Sequence, residues 1–149
     1  MTGGDALAVA MSVSAGFAGA VQVATMGRLG ERVGTIEAVA FSAVVMTVVT
    51  LAVLVAVRQS VDGYTAAVHE PAWLWLGGVM GAWIVFTITV AGPRIGILAT
   101  SSLLIAGQFV AGTVIDRFGL LGQERVAVSW QRVLGLLLLA TGAALALRR

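Results

Sequence analysis

Chemistry inside apolar surroundings needs polar side chains that hydrocarbon does not supply. Here the candidates are two amides, Gln22 and Gln108, and two hydroxyls, Ser42 and Ser101. None carries a charge, so together they suit hydrogen bonding to neutral or zwitterionic groups rather than acid–base work. Ser101, Gln108 and Gly112 are seven and four residues apart, which places them on one face of a helix. An unpaired amide in hydrocarbon costs several kcal/mol. Gln108 is therefore expected to face protein or water, and its helix to face inward.

The same stretch shows what must hold these groups. Ile95 to Ile115 carries no charge, and a helix of roughly 20 residues reaches about 30 Å, the thickness of a bilayer's hydrocarbon core. It closes on Asp116-Arg117-Phe118-Gly119, where charges mark the water interface and the glycine a C-terminal cap. Composition agrees: 11% of residues are charged, against about 25% in soluble domains, and mean hydropathy is +1.01. The sequence predicts an all-α integral membrane protein. All nine basic residues are arginine and form no stripe outside the spans, so no nucleic-acid partner is expected; membrane lipid is. There is no cysteine, which excludes disulfides and thiolate metal sites. The single histidine, His69, sits in a loop with no second ligand candidate and reads as solvated. No metal or other cofactor is expected. No P-loop, HExxH or Ser/His/Asp set occurs, so an enzyme is not expected.

Five transmembrane helices are predicted, at about 6–26, 36–57, 72–91, 95–115 and 129–147, as a single transmembrane domain. The first lacks a positive region ahead of it and reads as a retained span rather than a signal peptide. Two small-residue stripes run along it, Ser12/Gly16/Gly19 and Ala15/Ala18/Gln22/Thr25. Arg28 to Gly34 reads as a short polar connection, with Thr35 as N-cap of the second span and Glu37 in its first turn. Arg58 to Pro71 reads as a loop. Trp73 and Trp75 open the third span as an interfacial belt, and Trp83 lies deeper. Gly77 and Gly81 form a GxxxG for helix packing. Gly92-Pro93-Arg94 reads as the link to the fourth span, with Pro93 in the first turn of the new helix. The fifth apolar run, Val133 to Leu147, is too short to cross alone. Its helix is expected to begin near Ser129, with Trp130 at the interface and Arg132 drawn into the hydrocarbon edge. There Arg132 is expected to pair with Asp116. Gly135 and Gly142, seven apart, form a candidate helix-packing seam.

Five spans put the termini on opposite sides. Arg58, Arg117, Arg125 and Arg132 fall on one side, and Arg28, Arg32, Arg94, Arg148 and Arg149 on the other. So small a bias permits insertion both ways. Two oppositely inserted copies would form an antiparallel homodimer, a ten-helix inverted-repeat assembly; pairing with an opposite-topology paralogue gives the same architecture.

Several motifs carry a resemblance across nearly the whole chain. They are Ala15-Gly16 and Gln22, Ser42, Pro71-Ala72-Trp73, Gly77-Gly78 with Gly81, Pro93 to Gly96 (PRIG), Gly107-Gln108, Ile115 to Gly119 (IDRFG), and Arg132 with Gly135 and Gly142. By these the chain resembles the YdcZ-type family of small five-span proteins in the drug/metabolite transporter superfamily. The first span departs from the family pattern, with Ala20 in place of a frequent proline and no asparagine in Ala24 to Met26. The resemblance implies an inner-membrane exporter or transporter, often dual-topology or paired, and names no substrate. Related small multidrug transporters use a membrane-embedded carboxylate. Here Ala6–Met26, the third span and Ile95–Ile115 hold none, and Glu37 and Asp116 lie at span ends. The expected cavity is neutral and polar, lined by Gln22, Ser42, Ser101 and Gln108 with Trp83 as an apolar wall. It suits a small polar or zwitterionic solute. Three other readings stand beside it: glutamines that only bond across helices, a passive channel, and an accessory membrane protein without a solute.

Overall fold

The computed structural model describes residues 3–147; Arg148 and Arg149, part of the orientation count, lie outside them. Every regular element among the described residues is helical: α1 (Gly3–Val33), α2 (Thr35–Arg58), α3 (Asp62–Val68), a 3-10 turn (Ala72–Trp75), α4 (Leu76–Ile95), α5 (Ile97–Phe118), a second 3-10 turn (Leu120–Gly122) and α6 (Trp130–Ala146). Four helical stretches are long and apolar enough to cross a membrane: α1, α2, Ala72–Ile95 and α5. The fifth apolar helix, α6, has 17 residues, or about 26 Å.

Helix is the form these sequences must take in lipid. The α2 segment is rich in valine, a poor helix former in water, but in hydrocarbon only a helix satisfies its backbone internally. Most hydroxyls follow the same rule. Ser12, Thr47, Thr50, Thr87, Thr89, Thr100, Thr113 and Thr141 each donate to the carbonyl four residues back, at 2.7–2.9 Å.

Boundaries differ from the sequence expectation in four places. First, α1 continues through Arg28–Val33, and only Gly34 separates it from α2. Charges there mark the water interface, but Arg, Leu and Glu are good helix formers and nothing ends the helix before the glycine. Second, the residue preceding α2 is Gly34 at φ 103°, ψ 150°, and Thr35 is already helical; Glu37 does lie in the first turn. Third, the 58–71 segment contains α3, whose first turn holds Asp62, and His69 closes it through its backbone N–H to Ala66 O at 3.0 Å. Fourth, Pro93 lies inside the last turn of α4, and the chain breaks at Gly96, φ 88°, ψ 160°. Both single-residue breaks use a backbone conformation open essentially to glycine alone.

Two compact units are distinguishable. One holds the described residues up to Ala24 and those from Arg94 onward; the other is Thr25–Pro93. In the second, α1 meets α4 closely. A Cβ at Gly27 would lie 3.0 Å from Pro93 Cδ, and one at Gly30 would lie 2.5 Å from Thr89 Cγ2. Met26, Ala38, Ile88 and Thr89 are buried in this unit. In the first unit α5 packs on α6, and Val23, Ala99, Thr100 and Ala143 are buried. Large apolar side chains lie on the outside, among them Phe17, Ile36, Leu98 and Trp130. In water this would be an aggregation surface; beside lipid it is the expected one.

Candidate functional site

The inward-facing polar residue of α5 is Ser101. Its Oγ is buried and has no hydrogen-bond partner among the described residues. Its neighbour Thr100 is 2% exposed and satisfies its own hydroxyl on Gly96 O at 2.8 Å. A buried hydroxyl without a partner costs about 1–3 kcal/mol, and Ser101 Oγ is the one buried side-chain atom left so among the described residues. Gln108 lies two turns further along α5 and is exposed, as is Gln22 on α1. These three belong to one compact unit. Ser42 and Trp83 belong to the other. Ser42 is half-buried and donates to Val39 O at 2.9 Å, leaving its oxygen free to accept. Trp83 stacks on Phe86, with ring centroids 5.7 Å apart and planes 19° from parallel. The stacking orients the indole against its neighbour on the α4 surface.

The seven carboxylates of the chain are all peripheral. Asp5 lies in the first turn of α1 and Glu31 near its end; Glu37 and Asp62 lie in the first turns of α2 and α3; Asp116 lies near the end of α5; Glu70 and Glu124 lie between helices. No carboxylate therefore stands at mid-span.

Asp116 and Arg132 come together across the α5–α6 connection. Arg132 Nη1 donates to Asp116 Oδ2 at 2.9 Å, with the two side chains 37% and 38% exposed. The local chain explains the meeting. Gly119 adopts φ 62° and caps α5 by donating to Ile115 O. Val126 N–H then donates to Asp116 O at 2.8 Å, which satisfies another terminal carbonyl of α5 and turns the loop back. Ser129 caps α6, with its side chain accepting from Arg132 N–H at 3.4 Å. Asp116 thus holds the loop by its carbonyl and the start of α6 by its carboxylate.

Of the proposed packing glycines, a Cβ at Gly135 would meet Phe109 Cζ at 3.7 Å, an ordinary contact between α5 and α6. Gly77, Gly81 and Gly142 have nothing within 4 Å. Gly16 and Gly19, in a stripe along α1, are equally open. Closer contacts between helices are at Gly27 and Gly30, which sequence reasoning missed because the first span reads as ending at Met26, ahead of an RLGERVG connection. A signal existed: the two glycines are three apart, on one face if the helix continues. Sequence reasoning also passed over a cleft of about 500 Å³ at the end of α5, lined by Arg117, Phe118, Arg125, Val126 and Ala127.

Comparison with known proteins adds one match. The family described as "Putative inner membrane exporter, YdcZ" covers residues 7–145. No curated protein and no solved structure matches the chain.

Proposed function

The chain belongs to the YdcZ family of inner membrane exporters, and on that premise we propose that it moves a small polar or zwitterionic solute through a cavity at a dimer interface. It is a multi-pass inner membrane protein, and its family is one of exporters, not of enzymes. The observation that carries the reading is Ser101: a buried hydroxyl without a partner, on the helix that also bears Gln108. A solute carbonyl, hydroxyl or carboxylate would supply the missing bond. Gln22 and Gln108, of the same compact unit, would add further neutral contacts. The peripheral carboxylates support a neutral or zwitterionic cargo, since nothing at mid-span compensates a bare cation or carries a coupling proton.

The near-even arginine count and the odd number of apolar helices support an antiparallel pair, either two copies of this chain or one copy and a paralogue of opposite orientation. Placement in the drug/metabolite transporter superfamily belongs to the same proposal. A C-terminal cysteine reporter should label from both sides of the membrane when the protein is expressed alone. Labelling from one side only would reject dual topology.

Solute flux into proteoliposomes tests transport directly. Gln22→Ala should lower flux, and Ser101→Ala and Gln108→Ala should each lower flux while leaving thermal unfolding nearly unchanged. Unchanged flux with a large loss of stability would instead make the glutamines cross-helix bonds. Flux absent for every small polar solute tried would favour an accessory role, and turnover at channel rates would favour a passive pore.

A further inference from the structure

The cleft at the end of α5 has no part in the solute site described above. Its lining joins two guanidiniums, Arg117 and Arg125, to the apolar surfaces of Phe118, Val126 and Ala127. Neither guanidinium has a hydrogen bond or an ion pair among the described residues. The nearest carboxylate in sequence, Asp116, is engaged by Arg132, and Glu124 is not part of the lining.

The two charges are also positioned. Arg117 lies in the last turn of α5, where the helix dipole favours a cation. Arg125 is brought back by the Val126-to-Asp116 backbone bond. Its stem then crosses Gly119 so closely that a Cβ there would lie 2.7 Å from Arg125 Cγ. The glycine therefore makes room for the arginine, and both guanidiniums are held at one opening.

Depth decides what they meet. The 22 residues of α5 span about 33 Å, so its end lies at the membrane–water boundary, where phospholipid phosphates lie. Phe118, Leu120, Leu121 and Trp130 are exposed around the same end, a surface suited to the boundary and not to bulk water. We propose that this cleft binds the phosphate of an anionic phospholipid. Guanidinium forks match phosphate oxygens in pairs. Two cations against one phosphodiester leave a surplus positive charge, which tolerates the uncharged glycerol of phosphatidylglycerol and repels choline. Phe118 and Val126 offer apolar surface to the glycerol and upper acyl chain, which free phosphate could not use.

The test titrates the full-length protein in detergent with phosphatidylglycerol, phosphatidylcholine or inorganic phosphate and counts retained ligand by native mass spectrometry. The wild type should retain phosphatidylglycerol in preference to phosphatidylcholine. Arg117→Gln and Arg125→Gln should each reduce that preference about fivefold, and the double variant should abolish it. Arg58→Gln, an exposed arginine at the end of α2, should leave it intact. Arg117→Lys and Arg125→Lys keep the charge and carry the test if a glutamine variant fails to fold; each should weaken retention of phosphatidylglycerol through loss of the fork. Equal retention of the two lipids, an equal loss in Arg58→Gln, or full retention in the lysine variants would overturn the site. Displacement of phosphatidylglycerol by millimolar inorganic phosphate would assign the cleft to free phosphate and overturn the lipid reading.

Discussion

The α1–α4 contact offers the sharpest test of the fold, through Gly30→Ala. A Cβ at Gly30 would lie 2.5 Å from Thr89 Cγ2, against a comfortable carbon–carbon separation of about 3.5–4.0 Å. The threonine methyl would have to retreat by about 1 Å. It is poorly placed to do so: Thr89 is 3% exposed, and its hydroxyl is held on Val85 O at 2.7 Å. Overpacking of this kind costs roughly 1–3 kcal/mol. Alanine in a helix interior returns about 0.5–1 kcal/mol relative to glycine, so the net loss should be roughly 0–2.5 kcal/mol. Thr89→Ser removes the offending methyl and keeps the hydroxyl, and adding it to Gly30→Ala should recover stability, with a coupling of about 1 kcal/mol or more. Gly16→Ala is the control, since a Cβ there has nothing within 4 Å; it should be neutral or stabilising. The assay is reversible unfolding in mixed micelles, followed by helical circular dichroism. If Gly30→Ala is as stable as Gly16→Ala, or if coupling to Thr89→Ser falls below roughly 0.3 kcal/mol, the close approach of α1 and α4 is wrong.

Three further outcomes follow from other contacts. A double-mutant cycle over Asp116→Asn and Arg132→Gln should give a coupling of about 0.5–1 kcal/mol, because both side chains are more than a third exposed and solvent screening weakens the pair; no measurable coupling would make Arg132 an independent interfacial anchor. Gly119→Ala should lower stability by about 1–2 kcal/mol, since that position has φ 62° and a Cβ would meet Arg125 Cγ at 2.7 Å; a melting curve identical to wild type would reject the cap geometry. Gly142→Leu should leave the chain's own fold intact, having nothing within 4 Å, whereas Gly135→Leu should disturb the Phe109 contact. Loss of cross-linked dimer in Gly142→Leu alone would place a seam between copies, and intact dimers would place it elsewhere.

The membrane-crossing segments were legible because their signal is a simple one: long stretches without charge. What was not legible is how each segment ends. Arg28, Glu31 and Arg32 announce water, which in sequence alone looks like the end of the helix; yet α1 runs through all three and stops only at Gly34. Pro93 was read as an opening residue because proline suits a first turn, but it sits in the last turn of α4 and packs on Gly27. The break belongs to Gly96, whose φ of 88° nothing in its neighbours foretold. Glycine spacing leaves a similar gap. Spacing shows which small residues share a face but not what stands opposite, so Gly77 and Gly81 drew attention while Gly27 and Gly30 hold the contact.

For the candidate site the lesson concerns which polar atoms are available. Sequence reasoning puts Ser101 on one helix face with Gln108 and names Ser42 beside them, but says nothing of where each hydroxyl's proton goes. In lipid a hydroxyl's first partner is its own helix, because the carbonyl three or four residues back is always within reach. Thr113 and Thr89 are satisfied in this way, and Ser42 donates likewise to Val39 O. A hydroxyl so engaged can accept from a solute but has no proton to give. Ser101 is different: its Oγ is buried and makes no such bond. If the α5 face recognises a solute through donation, Ser101 is the hydroxyl that donates, and the amide of Gln108 supplies the remaining protons. A solute rich in acceptors, such as a carboxylate-bearing zwitterion, fits that pair better than one rich in donors. Ser101→Thr would separate the two, since the extra methyl and the usual back-bond of threonine would withdraw the donor while keeping a hydroxyl in place. Flux should then fall toward that of Ser101→Ala. Flux equal to wild type would mean that the hydroxyl serves only as an acceptor, and the preference for acceptor-rich solutes would lose its basis.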